Sequence, residues 1–172
     1  MELNYYKIND NVNGPLYGST QAACFDLCGY IEYQIIVKAY TKNNSLVELI
    51  SAQDAENRNF IDIPSEWRVL IPTGIIFDIP IGSSVRIYPR SGLSSKKGLN
   101  LINCVGVIDS DYVEEVYIPV YNNSQEKLRI YNGDRIAQAE LVYNQRTSLN
   151  VINQKPERKT ERSGGFGSTG IL

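Results

Sequence analysis

The sequence predicts an all-β sandwich or barrel. Three observations predict it: short stretches rich in β-branched and aromatic residues recur along the chain, turn-forming residues separate them, and long helical periodicity is missing. A chain of 172 residues with 42% apolar and 21% charged residues is long enough to bury one core, so one domain with appendages is expected.

In chain order, the predicted strands are Arg68–Ile71, Ile75–Ile79, Val85–Tyr88, Glu115–Tyr121, Lys127–Tyr131 and Arg135–Tyr143. The breaks between them, Pro72-Thr73-Gly74, Pro80-Ile81-Gly82, Asn122-Asn123-Ser124 and Asn132-Gly133-Asp134, tolerate tight backbone geometry. A short helix is expected through Ser94–Lys97. Within Glu115–Tyr121, Val116, Ile118 and Val120 share one face. Pro119 cannot donate to a ladder, so that strand is expected at an edge, at a bulge or at a subunit contact.

Two regions stand apart. Tyr40 to Asp62 is polar and irregular; it reads as a surface excursion with one helical turn in Ser51–Arg58, inserted in a domain of residues 1–152. From Asn153 onward (NQKPERKTERSGGFGSTGIL) apolar residues nearly vanish. Residues 153–172 are either a disordered tail or a mobile lid, and Phe166 between glycines is what a hinged lid would carry.

The totals exclude several classes. A formal charge of -2 argues against broad binding to a nucleic-acid polymer or a membrane, while leaving room for a local basic pocket that takes a small polyanion. No run approaches a membrane helix and the N-terminus lacks a secretory pattern, so a soluble cytoplasmic protein is expected. Cys24, Cys28 and Cys104 are an odd number and read as reduced core thiols rather than a disulfide framework. There is no histidine. Ser-His and Cys-His catalysis are therefore excluded, Cys24 and Cys28 lack partners for a closed zinc site, and any catalytic metal must be held by oxygen, which favours magnesium.

Five short segments carry the candidate chemistry: Ala23–Leu27 (ACFDL), Pro89–Leu93 (PRSGL), Gly106–Tyr112 (GVIDSDY), Gly133–Gln138 (GDRIAQ) and Gly164–Gly170 (GGFGSTG). In the second, Arg90 and Ser91 offer donors and Gly92 admits close backbone approach, an arrangement suited to phosphate or to an ordinary exposed turn. In the third, Asp109 and Asp111 share a parity and would line one face of an extended chain. Asp134 and Arg135 read as structural, pairing across subunits.

Together, and in this order, the five segments resemble the five motifs of the trimeric dUTPase family, spanning Ala23 to Gly170. The resemblance implies a jelly-roll-like barrel, a homotrimer with active sites shared between subunits, a flexible C-terminal arm, and Mg2+-assisted hydrolysis of dUTP to dUMP and pyrophosphate. It implies that Asp109 is the general base for the attacking water and that Tyr112 packs on the deoxyribose. Asn103 and the backbone near Val107 would read uracil. Arg90, Ser91, Gly92 and Gln138 would contact the triphosphate, and Asp26 would stand near the metal-bound waters, although a buried structural hydrogen bond suits Asp26 equally. In the arm, Phe166 would stack on uracil while Gly167 and Ser168 close on the phosphates.

Three departures stand out. Cys24 occupies a usual glycine position, and the stretch between the first two motifs is long, leaving a loop, an added hairpin or a protein-partner site open for 40–62. Glu161 stands where the family has its arm arginine, with Arg162 one residue later. Two rivals remain: a dCTP deaminase or bifunctional deaminase of the same fold, whose third motif resembles Ile-Asp-Pro-Gly-Phe rather than Ile108-Asp109-Ser110-Asp111-Tyr112, and a regulatory protein-binding module derived from the family.

Overall fold

The computed structural model describes residues 2–161, and the all-β expectation holds. The first strands are β1 (Asn4–Lys7), β2 (Leu16–Tyr17), β3 (Phe25–Cys28), β4 (Ile36–Tyr40) and β5 (Leu46–Ile50). Next come β6 (Ala52–Gln53), β7 (Asn59–Ile63), β8 (Arg68–Pro72), β9 (Ile75–Asp78) and β10 (Ser83–Pro89). After the short helix α1 (Ser91–Lys97) follow β11 (Leu99–Leu101), β12 (Gly106–Asp109), β13 (Tyr117–Asn122), β14 (Leu128–Tyr131) and β15 (Arg135–Tyr143). Two five-stranded antiparallel sheets, ordered β12-β10-β15-β3-β2 and β11-β13-β8-β4-β5, carry the architecture. The pairs β1-β9 and β14-β7-β6 complete it. The arrangement is the jelly-roll-like kind of all-β fold.

Period-2 alternation sets the core. Leu27, Val85, Ile87 and Ala137 of the first sheet and Val37, Val69, Ile71, Ile118 and Val120 of the second are all buried in one cluster. Burying each branched side chain contributes about 1.5–3 kcal/mol. Ile71 is fully buried on the central strand β8, and a Cβ on Gly29 would come within 3.1 Å of its Cγ2. Ile71→Ala is expected to cost about 2–4 kcal/mol by transfer plus cavity, read as a lower urea midpoint with an unchanged slope.

Two sequence expectations are corrected. Residues 40–62 are not an irregular excursion: they contain β5, β6 and β7, with Phe60 and Ile61 buried. No helical turn forms in Ser51–Arg58; instead the Asp54 carboxylate accepts from the amides of Glu56 (3.0 Å) and Arg58 (2.9 Å), and Asn57 takes φ 59. The outward positions Ile36, Tyr40, Leu46 and Ile50 of the β4–β5 hairpin are apolar or aromatic like the inward ones, which blurs the alternation that would have announced these strands.

Pro119 lies on an interior strand, not an edge, since β13 runs between β11 and β8. The carbonyl of Pro119 accepts from the Ile102 amide at 2.9 Å, so its missing N–H faces β11, whose ladder ends at Leu101 opposite Val120. Only the reciprocal bond of this terminal pair is forgone, at the very end of the β11 ladder.

The helix runs from Ser91, three residues before its predicted start, and ends on Gly98 at φ 70. A Cβ at Gly98 would also sit 3.0 Å from the Ser124 amide nitrogen, so this C-cap favours glycine twice over. Residues 144–161 carry no helix or strand and are exposed. Arg162, Phe166, Gly167 and Ser168 lie outside the described residues, as does the whole Gly164–Gly170 motif. Among the described residues no helix is long and apolar enough to cross a membrane.

Candidate active site

Alternation on β3 sends Phe25 and Leu27 into the core and leaves Asp26 on the opposite face of the sheet. On β15 the same alternation buries Ala137 and Ala139 and places Gln138 directly opposite Asp26. Strand β10 ends at Pro89, and Arg90 adopts φ -90, ψ 126 before the chain turns into α1. These three chain segments meet at one point.

Asp26 is the hub. Its Oδ1 lies 3.1 Å from Arg90 Nε and its Oδ2 accepts from Arg135 Nη1 at 2.9 Å, with only 13% of its side chain exposed. Arg90 Nη1 also donates to the Arg135 carbonyl at 2.7 Å. Gln138 Nε2 donates to the Pro89 carbonyl at 3.0 Å. A cavity of about 360 Å³ opens here, lined by Asp26, Arg90, Ser91, Gly92, Leu93 and Gln138. Around Arg90 a second cavity of about 210 Å³ counts Arg90, Lys97, Arg129 and Arg135 among its walls, so cations concentrate locally in a chain of net charge -2.

Gly92 has open space within 4 Å of where a Cβ would stand, so packing among the described residues does not require glycine there. Cys28 shares the outward face of β3 with Asp26; burial pushes its thiol up, the nearby Asp26 carboxylate adds to this, and Arg135 and Arg90 oppose it. The expected reduced core thiols are only half realised: Cys24 and Cys28 are partly buried, whereas Cys104 is exposed in a turn at φ 58.

A second cluster lies elsewhere. Asn103 sits in the turn after β11, and its carbonyl accepts from the Val105 amide at 2.6 Å. Gly106 lets β12 lie close on β10, for a Cβ there would come within 3.2 Å of Ile87. Val107 is exposed, and Asp109 ends the strand, exposed, opposite Ser84. The chain then turns, with the Tyr112 amide donating to the Asp109 carbonyl at 3.1 Å, so Asp109 and Asp111 do not share a strand face as their parity predicted. The Tyr112 hydroxyl donates to the Glu115 carbonyl at 2.8 Å, which fixes its ring.

None of Asn103, Val107, Asp109 or Tyr112 lines the cavity at Arg90. Asp109 pairs with Ser84 at the start of β10 and Arg90 follows its end, a separation of about 20 Å at the rise of an extended strand. Within one chain the two clusters are therefore well apart. Within the chain Arg135 clamps Asp26; its pairing with β3 depends on a bulge between Arg135 and Ala137 that no local pattern announces. Asp134 serves its own turn, accepting from the Tyr131 amide at 2.9 Å.

A family model described as dUTPase matches residues 55–170. The chain belongs to the dUTPase family. A deoxyuridine 5'-triphosphate nucleotidohydrolase of Nautilia profundicola is 36% identical over 171 residues, covering 99% of both chains. One of Finegoldia magna is 46% identical over 117 residues, covering 67% of this chain and 80% of that one. Among solved structures, a dUTPase point mutant of Staphylococcus bacteriophage 80alpha with dUpNHpp superposes with TM-score 0.73 at 20% identity, covering 99% of each chain, a likeness of fold. Relative to the family motifs, the first cluster gathers the first, second and fourth, and the second cluster is the third.

The Asp26 clamp has a measurable role. Asp26→Ala should free Arg90 and raise KM for the nucleotide about tenfold, the worth of one charge-assisted hydrogen bond, with a smaller change in kcat. An unchanged KM would show that Arg90 is positioned without Asp26.

Proposed function

We propose that this chain hydrolyses dUTP to dUMP and pyrophosphate as a homotrimer whose active sites are each completed by neighbouring subunits. The observation that carries the reading is the separation of Asp109 from the Arg90 cluster in a member of the dUTPase family. A base and a phosphate cradle about 20 Å apart cannot act on one nucleotide, but a neighbouring copy can bring them together.

In this reading Arg90, Ser91, Gly92 and Gln138 hold the triphosphate, with the two-arginine clamp on Asp26 keeping the Arg90 guanidinium preorganised. From the neighbouring copy, Asn103 and the backbone near Val107 read uracil, and a cytosine would leave buried polar groups mismatched. The Tyr112 ring, held by its bond to the Glu115 carbonyl, packs on the deoxyribose. Asp109 orients a water toward the α-phosphorus and takes its proton. Arg162, Phe166, Gly167 and Ser168 are assigned by their motif to a lid that excludes water.

The donor set of the cavity suits magnesium only in part. Asp26 is the one carboxylate among the lining residues and already faces two guanidinium groups, so it would meet the ion through water while phosphate oxygens ligate it directly. When bound, the ion would neutralise charge on the triphosphate. The test is pyrophosphate release from dUTP, dCTP, dTTP and UTP with and without magnesium. Release from dUTP alone is expected, and ammonia release from dCTP would overturn the reading in favour of a deaminase.

A further inference from the structure

Between the end of β12 at Asp109 and the start of β13 at Tyr117 the chain belongs to no sheet. Asp111, Tyr112, Val113 and Glu114 are all exposed, so this stretch has no packing of its own to hold Tyr112 in place. Hydrogen bonds hold it instead, and they converge on Glu115, a residue outside the five motifs.

The Glu115 carbonyl accepts from the Tyr112 hydroxyl at 2.8 Å, while its carboxylate accepts from the Gly74 amide at 2.7 Å. The Tyr117 hydroxyl lies against the same carboxylate. The next residue, Val116, is buried and fastened on both sides: its amide donates to the Ile75 carbonyl at 2.9 Å, and its carbonyl accepts from Thr73 Oγ1 at 2.6 Å. Thr73 and Gly74 form the turn between β8 and β9, which is itself rigid. Thr73 and Ile75 are buried, the Gly74 carbonyl accepts from the Ile8 amide at 3.0 Å, and a Cβ on Gly74 would come within 2.5 Å of Val12. Tyr112 thus rests on Glu115, and Glu115 is bolted to a fixed turn of the core.

We propose that Glu115 is a positioning residue that sets how strictly the site refuses a ribose. The proposal rests on the reading of Tyr112 as the ring against the deoxyribose, and adds what keeps that ring from giving way. A ribonucleotide differs there by one hydroxyl, which an apolar wall rejects only weakly unless the wall cannot move. A ring free to step back by about 1 Å still packs on deoxyribose but also admits the hydroxyl. Without the carboxylate, the Gly74 amide loses its acceptor, and the Glu115 carbonyl is tied to that turn only through Val116. The consequence falls on the choice of sugar rather than on the chemistry at phosphorus.

The ratio of kcat/KM for dUTP to that for UTP reads it, with UTP followed at high enzyme concentration. Glu115→Ala is expected to lower this ratio about tenfold, mainly by raising kcat/KM for UTP, with kcat for dUTP within about threefold. Glu115→Gln keeps an oxygen for the Gly74 amide and should hold the ratio within about twofold. General loosening behaves differently: Ile71→Ala weakens the core yet should leave the ratio unchanged. If Glu115→Ala does not fold, Tyr112→Phe cuts the same link from the other end, keeping the ring and losing only its bond to the Glu115 carbonyl. The ratio should fall equally, and where both variants fold, the double variant should fall no further. A folded Glu115→Ala, or Tyr112→Phe in its place, with the ratio of the unaltered enzyme overturns the proposal, as does an equal fall in Ile71→Ala. Tyr112→Ala then separates the causes. A collapsed ratio leaves the ring on the sugar and removes only Glu115, whereas an unchanged ratio removes Tyr112 from the sugar as well.

Discussion

Asp109→Asn is expected to give a folded, nucleotide-binding protein whose kcat is about 10²–10⁴-fold lower, the usual worth of a positioned general base. The fold should survive because Asp109 is exposed at the last position of β12 and the turn that follows uses its backbone carbonyl, not its side chain. The change removes the basic oxygen while keeping size and hydrogen-bonding shape. With no histidine in the chain, no imidazole can take over, and water itself is a poor base at neutral pH. Single-turnover pyrophosphate release separates binding from chemistry, and KM should move far less than kcat. Turnover near that of the unaltered enzyme would remove Asp109 from the role of base.

The strands that were legible are those in which alternation and turn chemistry agree. Arg135–Tyr143 matches its predicted bounds, and Arg68–Pro72 extends its prediction by one residue, because Asn132-Gly133 and Pro72-Thr73-Gly74 punctuate runs of consistent period. Gly133 at φ 83 and Gly74 at φ 67 occupy backbone that L side chains rarely adopt. The hairpin of β4 and β5 was not legible, because four of its six outer positions, Ile36, Tyr40, Leu46 and Ile50, are apolar or aromatic like its inner ones, so the period-2 contrast is blurred. Pro119 misled for a related reason: a proline inside a sheet is cheap where the neighbouring ladder is ending, and where β11 ends is a tertiary fact.

The candidate site divides in the same way. Local sequence named Asp26, Arg90, Ser91, Gly92 and Gln138, and the fold gathers all five around one cavity from β3, the end of β10 and β15. What sequence could not supply was the wiring. Arg135 became part of the clamp only through a bulged pairing with Cys28, more than a hundred residues away in the chain. Asp109 and Asp111 appeared as a carboxylate pair until the Tyr112 amide closed a turn between them. Spacing reports a shared face only while the chain remains extended.

Mixing two crippled proteins should restore activity, and this is the sharpest consequence of the geometry. Arg90→Ala removes a cation lining the cavity proposed to take the phosphates and should lower kcat/KM by about 10²-fold or more, the effect of losing a preorganised charged donor. Asp109→Asn disables the opposite half. If each site takes Asp109 from one copy and Arg90 from another, co-refolding equal amounts places an intact pair in about one quarter of the sites of randomly assembled oligomers, where each parent alone has none. The mixture should then recover about a quarter of the unaltered turnover, well above either parent. If a single chain supplied both residues, every site would carry one lesion and mixing would restore nothing. The backbone separation along β10 makes the first outcome the expected one: Ser84 and Arg90 lie at opposite ends of one rigid strand, and no rearrangement short of unfolding β10 brings Asp109 and Arg90 of the same chain onto one α-phosphorus.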